Sequence, residues 1–307
     1  MAESFFPDFL IAGAMKAGTT SVADILSELP QISFSVPKEP TLLMRHDYEQ
    51  QNPEFFVPAP AEMEATYRAH FVHARPNTLW GEGSVAYLAD PDSPSLVTAR
   101  NPDVKVVILL RDPLRRSLSA YHYSRSTFDE PASTMEQALE EELAGKRHNF
   151  WPTLRHMNYS SYPQHLRRWE AALKPGNLLL LEFEAYVRSP QESIARICDF
   201  LGIEVPERLP NKERSNVTVT LDTPLKRRVM QVMHTQNSLK SLIKPMLPRR
   251  FREKLKVRIQ DRLAAKQAKS EPVSDWCANT MQARFAGMQA VLAEEFDFHP
   301  QYWTSGG

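Results

Sequence analysis

The chain of 307 residues lacks several features that mark particular classes of protein. Its two cysteines, Cys198 and Cys277, are too few for a disulfide framework, so we expect both to be reduced and Cys198 to lie in the core. A formal net charge of zero excludes a polycation built as a whole to bind nucleic acid. No apolar run approaches the roughly 20 residues of a membrane-spanning helix, and the N-terminus has no signal-peptide pattern. We therefore expect a cytoplasmic protein of enzyme size.

Several motifs of well-known sites are also missing. The sequence contains no Cys-x-x-Cys, no His-Glu-x-x-His and no cluster of histidine and aspartate at metal-ligand spacing, so no metal is expected. The turn GAMKAG does not match the Gly-x-Gly-x-x-Gly of dinucleotide-binding folds. These absences leave an anion site without a metal as the chemistry to look for.

Apolar runs alternate with helical patterns over about the first 205 residues. The runs FLIAGA, KVVILLRD and NLLLLEFEAY predict strands buried on both faces, and NTLWGE predicts a short one. Such alternation predicts an α/β fold with three layers, similar to P-loop proteins, around a central and mostly parallel sheet. We divide the chain into a nucleotide-binding and catalytic core over residues 1–220 and a helical extension over residues 221–307, within a single domain overall.

The extension begins with a strongly basic segment, residues 226–269. This segment holds fourteen lysines and arginines against two acidic residues, and prolines divide it into two predicted helices. It has three interpretations: peripheral contact with a membrane or an acidic polymer, packing on an acidic face of the same chain, and contact with nucleic acid, of which the last is not expected. After it, MQARFAGMQAVLAEEF predicts one last helix.

The stretch FLIAGAMKAGTTSVADIL predicts a strand, a turn and a helix that together bind an anion. Gly13 and Gly18 permit a tight turn and the close approach of a ligand. Backbone N–H groups and the helix dipole favour negative charge at the start of the helix, and Lys16 adds a positive charge. The glycine spacing fits the P-loop pattern, but Thr19 stands where a P-loop has its lysine. The alternative is an ordinary turn with a surface lysine.

A second candidate anion site follows the strand KVVILLRD. Arg111 comes directly after this strand, and Ser119 lies about two turns into the next predicted helix. Ligands of open α/β sheets bind outside the carboxyl ends of the strands, where an arginine offers a planar fork to phosphate. The alternative is that Arg111 pairs with a structural carboxylate. Two anion sites at two strand ends suit a nucleotide that carries phosphate groups at separate positions.

With these two motifs the sequence resembles the PAPS-dependent sulfotransferases, where PAPS is 3′-phosphoadenylyl sulfate. MKAGTTS resembles their 5′-phosphosulfate loop, and ILLRDPLRRSLSAYHY resembles their 3′-phosphate motif. VPKEPTLLM and WGEGSVAYL resemble segments of the heparan-type carbohydrate sulfotransferases, of which the first carries the catalytic glutamate. The resemblance covers about residues 5–218. It implies PAPS as the sulfuryl donor and PAP, 3′-phosphoadenosine 5′-phosphate, as the product, with no metal required.

The resemblance also implies roles for particular residues. Lys16 would meet the bridging oxygen as the leaving group gains charge. Arg111 and Ser119 would hold the 3′-phosphate, and Lys212 and Arg214 are weaker candidates for closing over the nucleotide. The 5′ end would be held by backbone N–H groups and side chains of the loop, namely Ala17, Gly18, Thr19, Thr20 and Ser21.

The acceptor needs a general base, for which Glu39 is our candidate. Thr41 replaces a histidine that often follows this glutamate in the family, and a histidine base (His46, His70 or His122) stays an alternative. Lys38 is a candidate for contact with the acceptor or the leaving group. Glu82 would orient Lys16 or the acceptor, or pair with an arginine.

The sequence therefore predicts transfer of a sulfuryl group to a hydroxyl or amine, on a carbohydrate or glycolipid acceptor. The alternatives are a small lipid or metabolite alcohol as acceptor, a P-loop kinase or NTPase, and a binding protein without activity. A kinase would need a lysine directly after Gly18 and a magnesium-binding aspartate, for which Asp112 is the near candidate. Acceptor specificity is expected to lie in two loop regions, residues 44–75 and 124–160.

Overall fold

The computed structural model describes residues 6–44, 62–127, 129–209 and 274–305. These residues contain one sheet of five parallel strands, in the order β2-β3-β1-β4-β5. The strands are β1 (Phe9–Gly13), β2 (Ile32–Phe34), β3 (Leu79–Glu82), β4 (Lys105–Leu110) and β5 (Leu178–Glu182). Because the chain passes from β1 to one side of the sheet and returns to β4 on the other, the carboxyl ends of β1 and β4 form the crevice where such sheets bind ligands.

Helices flank this sheet and complete the predicted α/β fold. The first six are α1 (Thr19–Glu28), α2 (Met63–Ala69), α3 (Ser93–Thr98), α4 (Pro113–Thr127), α5 (Met135–Leu143) and α6 (His156–Ser160). The others are α7 (Tyr162–Ala172), α8 (Phe183–Arg188), α9 (Pro190–Leu201), α10 (Asp275–Phe285) and α11 (Met288–Phe296), and short 3-10 helices cover Val85–Leu88 and Pro152–Leu154. No helix in the described ranges is long and apolar enough to cross a bilayer.

The core lies where the sequence predicts it, around the central strands. Every residue of β1 is buried, and Val106–Leu110 of β4 are completely so. Helices cover both faces of these strands, which is why their sequences show no polar alternation. Cys198, predicted to be a core residue, is fully buried on α9.

Three sequence-based assignments differ from the structure. The segment NLLLLEFEAY is a strand only as far as Glu182, and its remainder starts α8; as the edge of the sheet, β5 is half-buried over Leu178–Leu180. β2 was not predicted, because three residues are too few to show a periodicity. The last predicted helix is two helices, separated at Gly287, which has a φ of 72°.

A buried ion-pair cluster lies between α4 and α6. The Glu130 carboxylate accepts hydrogen bonds from Arg147 Nη2 at 2.6 Å and from His156 Nε2 at 2.7 Å, and all three side chains are fully buried. Burial alone would raise the pKa of Glu130, but the hydrogen bonds and charges of Arg147 and His156 lower it to about 2. The cluster fixes the start of α6, which carries Tyr159 beside the candidate site.

The end of the described chain closes over the carboxyl ends of β4 and β5. The amides of Gln301 and Tyr302 donate to Glu182, at 2.9 and 2.7 Å. Trp303 Nε1 donates to Glu184 at 3.1 Å, and the amides of Thr304 and Ser305 donate to Asp112. We call residues 301–305 the C-terminal strap. It joins the C-terminal helices to the strand end that carries Arg111. The domain boundary at residue 220 falls outside the described residues and stays a prediction.

Candidate active site

The turn between β1 and α1 is shaped to present backbone N–H groups. Gly18 is the N-cap of α1 with a φ of 78°, and a Cβ at this position would lie 3.0 Å from the Phe183 ring. Glycine is therefore required both by the backbone and by the space. The amides of Gly18, Thr19 and Thr20 lie in the first turn and have no carbonyl within the helix to donate to, so they are available to a ligand. The Ala17 amide differs from the prediction, because it donates within the turn to the Ala14 carbonyl at 3.1 Å.

The hydroxyl side chains of this turn do not cap the helix. No side chain makes the cap hydrogen bond at Gly18. Ser21 Oγ lies 2.6 Å from the Tyr186 hydroxyl, Thr19 is buried and accepts from Lys38 Nζ at 3.4 Å, and Thr20 is exposed. Ser21 and Thr19 thus contact α8 and the loop after β2, respectively.

Lys16 lies inside the crevice, where its ammonium group loses contact with water. Its φ is 68°, and its Nζ lies 4.3 Å from the centre of the Tyr123 ring on α4. Burial and then the charge of Arg111 lower the pKa of Lys16 to about 8. An anion placed beside Lys16 would favour the ammonium form and so raise this pKa.

Arg111 meets the same turn from the end of β4. Its Nη1 donates to the Lys16 carbonyl at 2.9 Å, and its guanidinium lies 5.0 Å from the centre of the Phe183 ring. Burial lowers the pKa of Arg111, in spite of the nearby carboxylate of Glu184. Among the described residues, the buried Nε of Arg111 has no hydrogen-bond partner. The structure thus brings Lys16 and Arg111 together, with donor capacity left for an anion.

Two tyrosines support these cations from α6 and α7. The Tyr159 hydroxyl accepts from the Met15 amide at 2.9 Å and donates to the Val85 carbonyl at 2.6 Å. The Tyr162 hydroxyl donates to the Arg111 carbonyl at 2.7 Å. Ser119 lies half-buried on the second turn of α4.

The loop after β2 brings Lys38 and Glu39 to the start of α1. The loop is fastened to the segment after β3 by two backbone groups, since the Gly83 amide donates to the Lys38 carbonyl at 2.9 Å and the Thr41 amide donates to Ser84 Oγ at 3.0 Å. Lys38 Nζ pairs with Glu39 Oε1 at 2.8 Å, and the side chain of Glu39 is 38% exposed. The candidate base is therefore accessible, and an ammonium orients its carboxylate.

Glu82 differs from its predicted role. It is completely buried, and its carboxylate accepts from the Tyr67 hydroxyl at 2.8 Å and from Ser84 Oγ at 3.0 Å, rather than from Lys16 or an arginine. Burial raises the pKa of Glu82 to about 7, although those hydroxyls lower it. Glu82 thus supports the loop that carries Glu39 through Ser84 and has no surface to offer an acceptor.

Asp112 is engaged by the C-terminal strap. Burial alone would raise the pKa of Asp112, but hydrogen bonds from the Arg115 amide and from Ser305 and Thr304 hold it below its usual value. Both carboxylate oxygens are used, with Ser305 Oγ at 2.8 Å from Oδ1 and the Thr304 amide at 2.9 Å from Oδ2. The near candidate for a magnesium ligand in a kinase is therefore occupied by the protein itself.

Several predicted residues lie elsewhere. His46, Lys212, Arg214 and the basic segment 226–269 fall outside the described residues, so their roles stay predictions. His70 Nδ1 lies 3.2 Å from the Val36 carbonyl, and the His122 ring lies 5.6 Å from that of Tyr121.

Sequence reasoning missed the aromatic and hydroxyl groups around the cations. Tyr123, Tyr159, Tyr162, Phe183 and Tyr186 all contact the turn, Lys16 or Arg111. None belongs to the strand–turn–helix pattern that reveals Lys16, and each contact joins distant parts of the chain. The nearest signal was the tyrosine-rich stretch MNYSSYPQ, which carries two of them.

Comparisons with known proteins agree on one family. The chain is 25% identical over 202 residues to mouse heparan sulfate glucosamine 3-O-sulfotransferase 3B1, which covers 64% of this chain and 46% of the mouse protein. It is also 25% identical over 199 residues to human heparan sulfate glucosamine 3-O-sulfotransferase 6, covering 65% of this chain and 53% of that protein. The chain therefore spans about half the length of these curated relatives.

A solved structure and a family pattern extend this likeness. The fold is similar to that of a sulfotransferase from Alicyclobacillus acidocaldarius, with a TM-score of 0.61 and 24% identity over 78% of this chain and 96% of that one. Residues 6–244 match the family described as the sulfotransferase domain. This match covers most of the chain and both candidate anion-binding turns, so the chain belongs to the sulfotransferase family.

Proposed function

We propose that this protein transfers a sulfuryl group from PAPS to a hydroxyl group of a carbohydrate. The observation that carries the proposal is the meeting of Lys16 and Arg111 at the carboxyl ends of β1 and β4, beside the free amides of α1. Two half-buried cations fit a ligand with negative charge at two positions, since no carboxylate of the described residues is bound between them. The spare Nε of Arg111 fits the 3′-phosphate, and the α1 amides fit the 5′-phosphosulfate.

Each of these residues has a separate role in the transfer. The α1 amides and Arg111 bind and orient the donor, which supplies the sulfuryl group when bound. Lys16 stabilises the negative charge that builds up on the 5′-phosphate oxygen as its bond to sulfur breaks. Glu39 takes the proton of the acceptor hydroxyl, because its carboxylate is exposed and lies on the loop facing the same helix N-terminus.

A carbohydrate acceptor is supported by the names of the most similar curated proteins that we report, which act on heparan sulfate glucosamine. A kinase is less well supported, since the lysine after Gly18 is absent and both oxygens of Asp112 are engaged.

The donor site is tested by calorimetric titration with PAP in the absence of magnesium. We expect binding by the wild type and an affinity about a hundredfold lower in Arg111→Ala, since charge-assisted hydrogen bonds contribute about 1.5–3 kcal/mol each. Arg167→Ala is the matched control, because Arg167 pairs with Glu295 on the surface of α7. Binding of ATP with magnesium, but not of PAP, would contradict the proposal.

The acceptor class is tested separately, by transfer of radiolabelled sulfate from PAPS. Heparan sulfate and a simple aliphatic alcohol are offered to the same enzyme preparation. We expect label in the polysaccharide, and label only in the alcohol would exclude a carbohydrate acceptor while leaving the donor site intact.

A further inference from the structure

The side chain of Lys38 crosses a space that the structure keeps clear for it. Its backbone carbonyl accepts from the Gly83 amide at 2.9 Å and from Ser35 Oγ at 3.1 Å, which fixes where the side chain starts. The side chain then runs over Gly83 toward the start of α1. It is 21% exposed, so most of its length is covered by the protein.

Gly83 is the residue that makes this path. A Cβ at Gly83 would lie 2.6 Å from Lys38 Cε and 3.5 Å from Nζ, which is closer to Cε than real side chains come. The φ of Gly83 lies outside the left-handed region, so its backbone conformation is open to other residues. Space for Lys38, rather than the backbone, therefore explains a glycine at this position.

The side chain of Lys38 ends between the start of α1 and the candidate base Glu39. Lys38 Nζ lies 3.4 Å from Thr19 Oγ1, on the first residue of α1, and 2.8 Å from Glu39 Oε1. Lys16, the other ammonium of the site, points instead to Tyr123 and is close enough to Arg111 for the two charges to repel. The two lysines thus occupy different places around the same helix N-terminus, and only Lys38 contacts the base.

We propose that Lys38 binds the oxygens of the transferred sulfuryl group, and that Gly83 lets it reach them. This inference rests on the proposed function and assigns the two lysines separate tasks: Lys16 to the leaving oxygen and Lys38 to the group in transit. During transfer the acceptor oxygen bonds to sulfur, the bond between sulfur and the 5′-phosphate oxygen breaks with its electron pair going to that oxygen, and the acceptor proton goes to Glu39. Lys38 takes part in no proton transfer.

The test compares two ligands that differ only in the sulfuryl group. PAPS and PAP are titrated into each variant without an acceptor, and the ratio of the two dissociation constants reports contacts made by that group alone. We expect Lys38→Met to lower the affinity for PAPS about tenfold or more, as for loss of a charge-assisted hydrogen bond. Its affinity for PAP should stay within about twofold of that of the wild type. Lys38→Arg should recover part of the loss, and Lys174→Met, which removes a surface lysine paired with Asp103, is the matched control.

Gly83→Ala provides a second and independent variant. The added methyl group meets only the Lys38 side chain within 3.5 Å, at Cε, Cγ and Nζ, and this side chain is flexible. The protein should therefore fold and should show the same selective loss of PAPS affinity. The double variant Lys38→Met with Gly83→Ala should be no weaker than Lys38→Met alone, because both changes remove one contact.

The outcomes separate the inference from the function on which it rests. A wild type that binds neither PAPS nor PAP would overturn the proposed function. A wild type that binds both, with an unchanged ratio in Lys38→Met, would overturn only the role of Lys38. Additive losses in the double variant would show that Gly83 acts on something other than Lys38 and would overturn the role of Gly83.

Discussion

The affinity of the donor site for PAP should fall as the pH rises through the pKa of Lys16. Burial and the charge of Arg111 lower this pKa to about 8. About nine-tenths of the Lys16 side chains are then protonated at pH 7, and about one-tenth at pH 9. Because only the ammonium form attracts a phosphate, we expect the affinity for PAP to fall about tenfold between these two pH values.

The assay is calorimetric titration with PAP at pH 7, 8 and 9 at constant ionic strength. Lys16→Met removes the titrating group, so it should bind PAP more weakly than the wild type at pH 7 and should lose the dependence on pH. A wild-type affinity that stays constant from pH 7 to 9 would refute the reasoning. A fall in affinity with pH that persists unchanged in Lys16→Met would also refute the reasoning, since another group would then be responsible.

The stability of the free protein provides an independent check on the sign. A lysine with a lowered pKa in the folded state binds more protons when the chain is unfolded, in the window between about pH 8 and the usual lysine pKa of 10.5. Lys16 therefore contributes a free energy of unfolding that increases as the pH rises through this window. As the pH rises, the affinity for PAP should fall while the Lys16 contribution to the stability of the free protein increases. Lys16→Met should remove both trends.

Two further predictions concern the framework of the site. Gly18→Ala should lower the free energy of unfolding in urea by about 1–2 kcal/mol because of its positive φ. It should also lower the affinity for PAP, since the new Cβ meets Phe183. Gly176→Ala, at a φ of 84° with no neighbour within 4 Å, should lower the free energy of unfolding but leave the affinity for PAP unchanged. Glu130→Gln should lower the free energy of unfolding by about 1.5–3 kcal/mol, because Arg147 and His156 lose their shared charged acceptor, while Arg147 keeps its pair with Glu141. Glu295→Gln, in an exposed pair, should change it little, and equal effects of the two glutamine variants would contradict this.

The sequence predicts those parts of the site that depend on neighbours along the chain. Lys16 and Gly18 follow β1 directly, and Arg111 follows β4, so a parallel sheet is enough to bring them together. The family resemblance identified Glu39 as a candidate base, and the structure places it at the same helix N-terminus through Lys38. These are local patterns combined with one rule about sheets.

The remaining contacts depend on packing between distant segments. Ser21 and Tyr186 are 165 residues apart, and no local pattern indicates that Ser21 faces α8 instead of capping α1. Glu82 looks like a polar residue at a strand end, but Tyr67 and Ser84 enclose it. Gly83 is unremarkable in the sequence, because its reason is the Lys38 side chain and not its own backbone.

The C-terminal strap has a consequence for the order in which the site matures during synthesis. Asp112 and Thr304 are separated by 192 residues, so the carboxylate beside Arg111 is made long before its hydrogen-bond donors. Until the strap emerges from the ribosome and docks, Asp112 lacks the hydrogen bonds from Thr304 and Ser305. A nascent chain can thus complete its parallel sheet, whose last strand ends at Glu182, well before the strap closes over the carboxyl ends of β4 and β5.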